Sequence, residues 1–351
     1  AALTNLPAAP NTRDVESALR LLQKDLLYDF PFARPSDCAH ALAALLHPFV
    51  RHLVQGPTPL HLIEAPSEGT GKGLLATVIH LIAVGSDAVP TPLPTSEEEV
   101  RKKITAALMT APTVVLLDNI GHVLDSASLA AALTTTLWTD RLLGQTRMLT
   151  APNRALWLAT GNNPVLSREN ARRAVRVRLD SNVERPWLRD GFLHVDLPGW
   201  VRAQRPALVV AVLTLLRSWA QAGRPQGTVR LGSFEDWASV VGGVLGHVGV
   251  EGFLGDREDE HEVCDPAEED WAAFVPTWAE AFGEKRVPAR DLLDLAVRSG
   301  AFQFDPGTAP DSGAKASFGK ALKNRRDRRY GLWRITVSRD TNKKVNLYRL
   351  E

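Results

Sequence analysis

Apolar residues recur along this chain at two periods, and the change between them divides it. Val15, Leu19, Leu22 and Leu26 fall three or four residues apart behind a possible cap at Asn11 or Thr12, which predicts a helix over 11–28. The stretch "DFPFARPSD" breaks it, a second apolar helix is expected through "AHALAALLHPFVRHLV", and "QGPTP" punctuates the entry to the first strand. From there the pattern becomes strand–helix–strand. Leu60–Ile63, "TVVLLD" (113–118) and "RALWLATGNN" (154–163) read as buried strands with helical stretches between them, and "AVRVRLD" (174–180) as one more. That alternation predicts an α/β fold built on a parallel sheet.

Beyond residue 200 the period is helical again. Leu208, Val212, Leu215, Leu216 and Trp219 form an apolar stripe, within a mostly helical pattern over 200–237. The acidic run "GDREDEHEVCDPAEED" (255–270) reads as a solvated loop, because His261, Cys264 and the acids around them show no metal-ligand spacing. In 285–351, Pro288 opens a short helix with Leu292, Leu295 and Ala296 inward. "AKASFGKALKNRRDRRY" predicts a second, with Phe318 and Leu322 inward and Lys315, Lys320, Lys323 and Arg326 outside. "LWRITVS" and "VNLYRL" then alternate like a hairpin around the tip "RDTNKK". Helix, basic helix and basic-tipped hairpin outline a winged helix.

These elements give four expected segments: a helical stretch over 1–55, an α/β core over 56–199, a helical region with the acidic loop over 200–284, and a winged helix over 285–351. The length of 351 residues and 44% apolar content support more than one domain. A net charge of +1 excludes a general polycation, yet 285–351 alone carries about nine net positive charges. Two cysteines, Cys38 and Cys264, exclude a disulfide framework and point to a reducing cytoplasm. Apolar runs such as "ALVVAVLTLL" (207–216) are too short to span a bilayer, and no signal sequence opens the chain. The start at Ala1 rather than Met suggests a piece cut from a longer protein.

The chemistry concentrates at three strand ends. After the first strand comes "EGTGKG" (68–73), a glycine-rich turn that opens a helix. Gly69 and Gly71 allow close backbone approach, amides around Glu68, Thr70, Gly73 and Leu74 face inward, and Lys72 supplies a charge for outer phosphates. At the end of "VVLLDN", Asp118 is placed to hold magnesium, and Asn119 stands where a second acid would polarise water. At the end of "LATGNNP" a polar tip, Asn162 or its neighbour Asn163, is placed to touch a γ-phosphate. "SRENARRAVRVRLD" then supplies Arg168, Arg172, Arg173, Arg176 and Arg178. Arg172 and Arg173 are candidates for a finger acting on a neighbouring subunit, and Arg176 and Arg178 for structural roles on an alternating strand.

In this order "DFPF", "APSEGTGKGLLA", "VVLLDN", "LWTDRLLGQ", "ATGNNP" and "ARRAVRVRLD" resemble the AAA+ ATPases. Within them they resemble the superfamily III-like helicase domains of primase–helicase replication proteins from phages, plasmids and integrative elements. The resemblance implies an AAA+ parallel-sheet ATPase core with a helical N-terminal segment, a helical lid region and a C-terminal winged helix. It implies ATP and Mg2+ as cofactors, and a homo-oligomeric, hexameric ring with single-stranded or forked DNA in its channel. A primase–polymerase domain in cis is a further implied partner.

It also implies a DNA-gripping hairpin in "DRLLGQTRMLTAPNR" (140–154), with Arg147 near the tip and Arg141 and Arg154 at the base. In the tail, Lys320, Lys323 and Arg326, followed by Arg325, Arg328 and Arg329, and Arg339, Lys343 and Lys344 on the wing, would meet phosphates. Two positions depart from the pattern: Gly73 lacks the hydroxyl that usually ligates magnesium, and Asn119 cannot take a proton. Slow, DNA-stimulated ATP hydrolysis by a replicative helicase is therefore expected. The rivals are an ATP-binding DNA adaptor or loader that barely hydrolyses, and a defence or signalling ATPase acting on protein.

Overall fold

The computed structural model describes residues 5–121, 123–142, 147–255, 266–302, 312–340 and 345–351. It divides into two compact units, Ala1–Cys264 and Asp265–Glu351.

In the first unit Asn11 caps helix α1 (Thr12–Arg20) through a reciprocal pair with Asp14, and the helix runs on as a π-turn over Leu21–Leu26. Helix α2 (Pro35–Val50) starts earlier than the apolar pattern suggests. Pro35 is preset for a first helical turn, and Asp37 accepts the Arg34 amide at 2.9 Å. The sheet has strands β1 (Leu60–Ala65), β2 (Thr91–Pro92), β3 (Val114–Ile120), β6 (Leu156–Asn162) and β7 (Ala174–Arg178), in the order β2-β3-β6-β1-β7. All pairings in it are parallel. All six residues of β1 are buried, as expected of a central strand covered on both faces. Helix α3 (Lys72–Val84) follows β1, α4 (Glu97–Leu108) precedes β3, and α5 (Ala127–Leu133) and the short α6 (Arg168–Ala171) flank the later strands.

Between β3 and β6 the chain forms the antiparallel hairpin β4 (Leu137–Arg141)–β5 (Met148–Pro152). Its base is tied to α4. Asp140, buried, accepts from the Thr105 hydroxyl at 2.6 Å and pairs with Arg101 at 3.2 Å, while Trp138 Nε1 donates to Thr105 at 2.9 Å. Past the sheet, the expected helical stretch is two helices, α7 (Leu197–Gln221) and α8 (Glu235–His247). The break falls where Gly223 and Arg224 take left-handed backbone, at φ 84° and 57°.

The core of this unit contains an unusual pair. His47 on α2 and His61 on β1 lie edge to face at 5.6 Å, against Trp237 of α8, and among the described residues none of their four ring nitrogens has a hydrogen-bond partner. His40 nearby is satisfied instead, accepting from the Leu254 amide and donating to the Arg176 carbonyl. Burial, then the neighbouring His40, pushes His61 down to about 3, and burial followed by His61 and Arg51 holds His47 well below its ordinary value. Both stay neutral in the fold, whereas in the unfolded chain histidine protonates below pH ~6.5, so acid favours unfolding. His61 alone is expected to cost about 2 kcal/mol of stability between pH 6.5 and 4.5, with stability levelling off about one pH unit above 6.5. Urea unfolding at the two pH values checks this; the acid loss should shrink in His61→Val.

The second unit gathers helix α9 (Pro266–Phe282), β8 (Val287–Pro288), α10 (Ala289–Ser299), α11 (Ser312–Asn324), β9 (Arg329–Tyr330), β10 (Trp333–Asp340) and β11 (Val345–Leu350). Its strands form an antiparallel sheet ordered β8-β11-β10-β9. The expected boundary at 285 shifts to 265, because α9 belongs to this core: Trp271, Phe274, Val275 and Trp278 pack with Leu292, Phe318, Ile335, Tyr348 and Leu350. The basic helix is also shorter than its sequence suggests. It stops at Asn324, so Arg325, Arg326 and Arg328 lie in the turn beyond it and Arg329 in β9.

Candidate nucleotide site

Three parallel strands deliver their C-terminal ends to one edge of the sheet, where open α/β sheets bind ligands. From β1 the chain turns through Ser67–Gly71 into α3. Gly69 and Gly71 both hold positive φ, 73° and 105°, which residues with a Cβ rarely adopt. The turn is braced from inside. The Thr70 hydroxyl donates to the Ser67 carbonyl at 2.9 Å and Lys72 Nζ to the same oxygen at 2.8 Å. Burial holds the Lys72 pKa below its ordinary value, and Glu68 partly offsets this. A strap that no sequence motif marks covers the turn. Trp187, in the 3-10 turn Pro186–Leu188, stands so close that a Cβ on Gly69 would lie 2.8 Å from its own. Arg189 and the Leu193 amide pin that strap to Asp29 at 2.9 and 2.8 Å.

Asp118, at the end of β3, accepts the Thr160 hydroxyl at 2.6 Å, and the same oxygen of Thr160 accepts the Asn119 amide at 2.9 Å. Thr160 thus fixes both neighbours. It lies inside "LATGNNP" but gives no signal there, because its role depends on the strand beside it. Asn119 has φ 53°, left-handed backbone that asparagine tolerates, where β3 slips its register against β6. At the tip of β6, Asn162 is exposed and faces the same space as Asp118, whereas Asn163 accepts from Arg178 at 3.1 Å. Glu68, Gly69, Gly71, Lys72, Gly73, Asp118, Asn119, Thr160 and Asn162 together line a cavity of about 480 Å³. Thr70 is buried beneath the turn, and Leu74 is partly exposed on the first turn of α3.

The arginines after β6 separate into two groups. Arg176 and Arg178 on β7 converge on Glu64 of β1, 3% exposed, at 3.3 and 3.4 Å. Arg173 is 7% exposed and bonds Glu169, donating to its carbonyl at 2.6 Å and pairing with its carboxylate at 3.1 Å. Arg168 and Arg172 are exposed. Of the two finger candidates, only Arg172 is placed to reach outward.

In the hairpin, Arg141 pairs with Met148 in the last described rung before the tip, not at the base, because β4 begins at Leu137. Arg147 is exposed beside it, its carbonyl accepting from the Leu142 amide at 2.9 Å. Arg154 lies past β5 and contacts His52 at 3.5 Å. In the second unit Lys320, Lys323 and Arg339 are exposed, as is Arg326, which pairs with Asp327 at 3.2 Å. Arg325 instead lies over the Trp271 ring at 4.7 Å. Lys343 and Lys344, like His261 and Cys264, lie outside the described residues. No described helix is long and apolar enough to cross a membrane, and the described residues contain no group of three metal-capable side chains.

No known family profile matches the chain, and no curated protein matches it. Among solved structures it is similar to the "SCCmec type IV Cch - active helicase", at 12% identity over 98% of this chain and 71% of that one, with a TM-score of 0.41. It is also similar to the JCV helicase, at 13% identity over 71% of this chain and 68% of that one, with a TM-score of 0.27.

Proposed function

We propose that this chain is the motor of an ATP-dependent DNA helicase of the mobile-element replicative type, acting as a ring of identical subunits. The observation that carries the reading is the convergence of the glycine turn, Lys72, the Asp118–Thr160 pair and Asn162 on one cavity. Its volume of about 480 Å³ falls in the range of small-molecule sites, and its lining is rich in polar groups suited to a triphosphate. The turn's amides and Lys72 hold the phosphates. Asp118 is the residue that would hold magnesium, whose charge screens the triphosphate when bound, and water can fill the ligand position that Gly73 leaves empty. Asn119 and Asn162 orient the attacking water. Neither takes its proton, and the loose transition state of phosphoryl transfer makes positioning and charge the larger contributions. Arg172, exposed just past α6, is the finger for a neighbouring subunit's γ-phosphate.

On the DNA side, Arg141 and Arg147 at the tip of a hairpin braced by Asp140 offer cations to a strand in the ring's channel. In the second unit, Lys320, Lys323 and Arg339 suit a winged-helix contact with phosphates.

Displacement of a labelled strand from a forked duplex, with ATP and magnesium, tests the reading. ATP-dependent displacement and DNA-stimulated phosphate release are expected. Saturable ATP binding without displacement would favour the adaptor or loader instead.

Gly73 allows a test of the missing hydroxyl. A Cβ there meets nothing within 4 Å. Gly73→Ser is therefore expected to fold, gaining about 0.5 kcal/mol of helix propensity, and to lower the magnesium concentration needed for half-maximal ATP turnover severalfold. A magnesium titration of turnover measures this.

A further inference from the structure

At the opposite edge of the sheet from the nucleotide cavity is a second one, of about 270 Å³. Thr113, which immediately precedes β3, and Arg154, two residues before β6, lie on its wall with Arg51 and His52 beyond the end of α2. Every charged or titratable side chain lining it is basic. Arg51 is only 6% exposed: its two terminal nitrogens donate to the carbonyls of Val54 at 2.9 Å and Asn153 at 3.3 Å, and its buried Nε has no described partner. Arg154 and His52 touch each other at 3.5 Å, and among the described residues none of the three forms an ion pair with a carboxylate. Pro48 and Pro152 close the wall without amide donors of their own.

Holding two guanidinium groups close together without a counter-charge is costly unless an anion joins them. Burial, and then the Arg154 charge, hold the Arg51 pKa below its ordinary value. The carbonyl ends of α2 and α4 also point to this edge, and their partial negative charge offsets only part of the three basic side chains.

We propose that this cavity is an anion site that takes a phosphate group, held by Arg154 and His52 at its mouth and backed by the buried charge of Arg51. The Thr113 hydroxyl supplies a further donor. The phosphate can come from a nucleic-acid backbone or from free inorganic phosphate, since both present the same oxygens to a guanidinium fork. The site shares no residue with the nucleotide cavity and stands whether or not that cavity binds ATP.

The test uses the full chain carrying Lys72→Ala and follows the His52 imidazole resonances by NMR, assigned by their loss in His52→Asn. Inorganic phosphate is titrated in one arm and a single-stranded oligothymidine in the other. A saturable shift is expected with phosphate, weakened about tenfold in Arg154→Ala and largely restored in Arg154→Lys, as for the loss of one charge-assisted hydrogen bond. If the oligonucleotide moves the same resonances at lower concentration, the ligand is a backbone phosphate; a response to phosphate alone assigns the site to the free ion. No shift with either ligand, or a shift unchanged by Arg154→Ala, overturns the proposal.

Discussion

Lys72→Ala is expected to lower DNA-stimulated ATP turnover about 100–1,000-fold, the usual effect of removing one preorganised group that stabilises transition-state charge. The ammonium donates to the Ser67 carbonyl at 2.8 Å, and burial lowers its pKa, so it lies in a partly desolvated place. A triphosphate would offer it a better partner without moving the turn, which Gly69, Gly71 and the Trp187 strap hold in place. The loss should therefore appear in turnover and ATP affinity, with stability nearly unchanged, because Lys72 makes one described bond and lies at the edge of the cavity. Phosphate release and equilibrium ATP binding, measured together with urea unfolding, separate these effects. Turnover in the variant equal to that of the unaltered chain would mean that the measured hydrolysis arises elsewhere.

Glu64→Ala should have the largest effect on stability. The carboxylate is buried in the central strand and answers two guanidinium groups, Arg176 through both oxygens at 3.3 Å and Arg178 at 3.4 Å. Removing it leaves two cations in the sheet without their counter-charge, and breaking a buried pair this way costs about 3–5 kcal/mol. Glu64→Gln should cost less, since the amide oxygen can still accept from one arginine. The change should also reach the nucleotide cavity. Arg178 holds Asn163 at 3.1 Å, next to Asn162, so loosening Arg178 frees the strand tip that faces the phosphates. Urea midpoints for both variants and ATP affinity for Glu64→Gln test the two parts. A loss below about 1 kcal/mol in Glu64→Ala would show that water reaches the arginines in place of the carboxylate.

The parallel sheet was legible because its evidence is local. Buried apolar runs, spaced by helical stretches, already dictate strands covered on both faces, and "EGTGKG" dictates a turn with glycines at left-handed positions. The groups that arrange the site were hidden because each acts on a residue far along the chain. Thr160 joins Asp118 across neighbouring strands, Trp187 seats on Gly69 more than a hundred residues away, and Asp140 braces the hairpin through Arg101 and Thr105. Arg172 and Arg173 are adjacent and identical in sequence, and only the fold turns one outward while burying the other beside Glu169. The tail shows the same limit, since α9 looks like the end of the preceding helical region until Trp271 and Trp278 are seen inside the second core.

By itself the sequence determined the strands of the central sheet and most of its helices, where the chain must turn on glycine, and which edge of the sheet gathers its polar tips. Those properties follow from periodicity and backbone sterics, which act over a few residues. Only the tertiary structure decided which charges are paired, which arginine faces outward, and that a basic cavity lined by no carboxylate lies at the far edge. Electrostatic fate depends on burial and on partners brought together from distant positions.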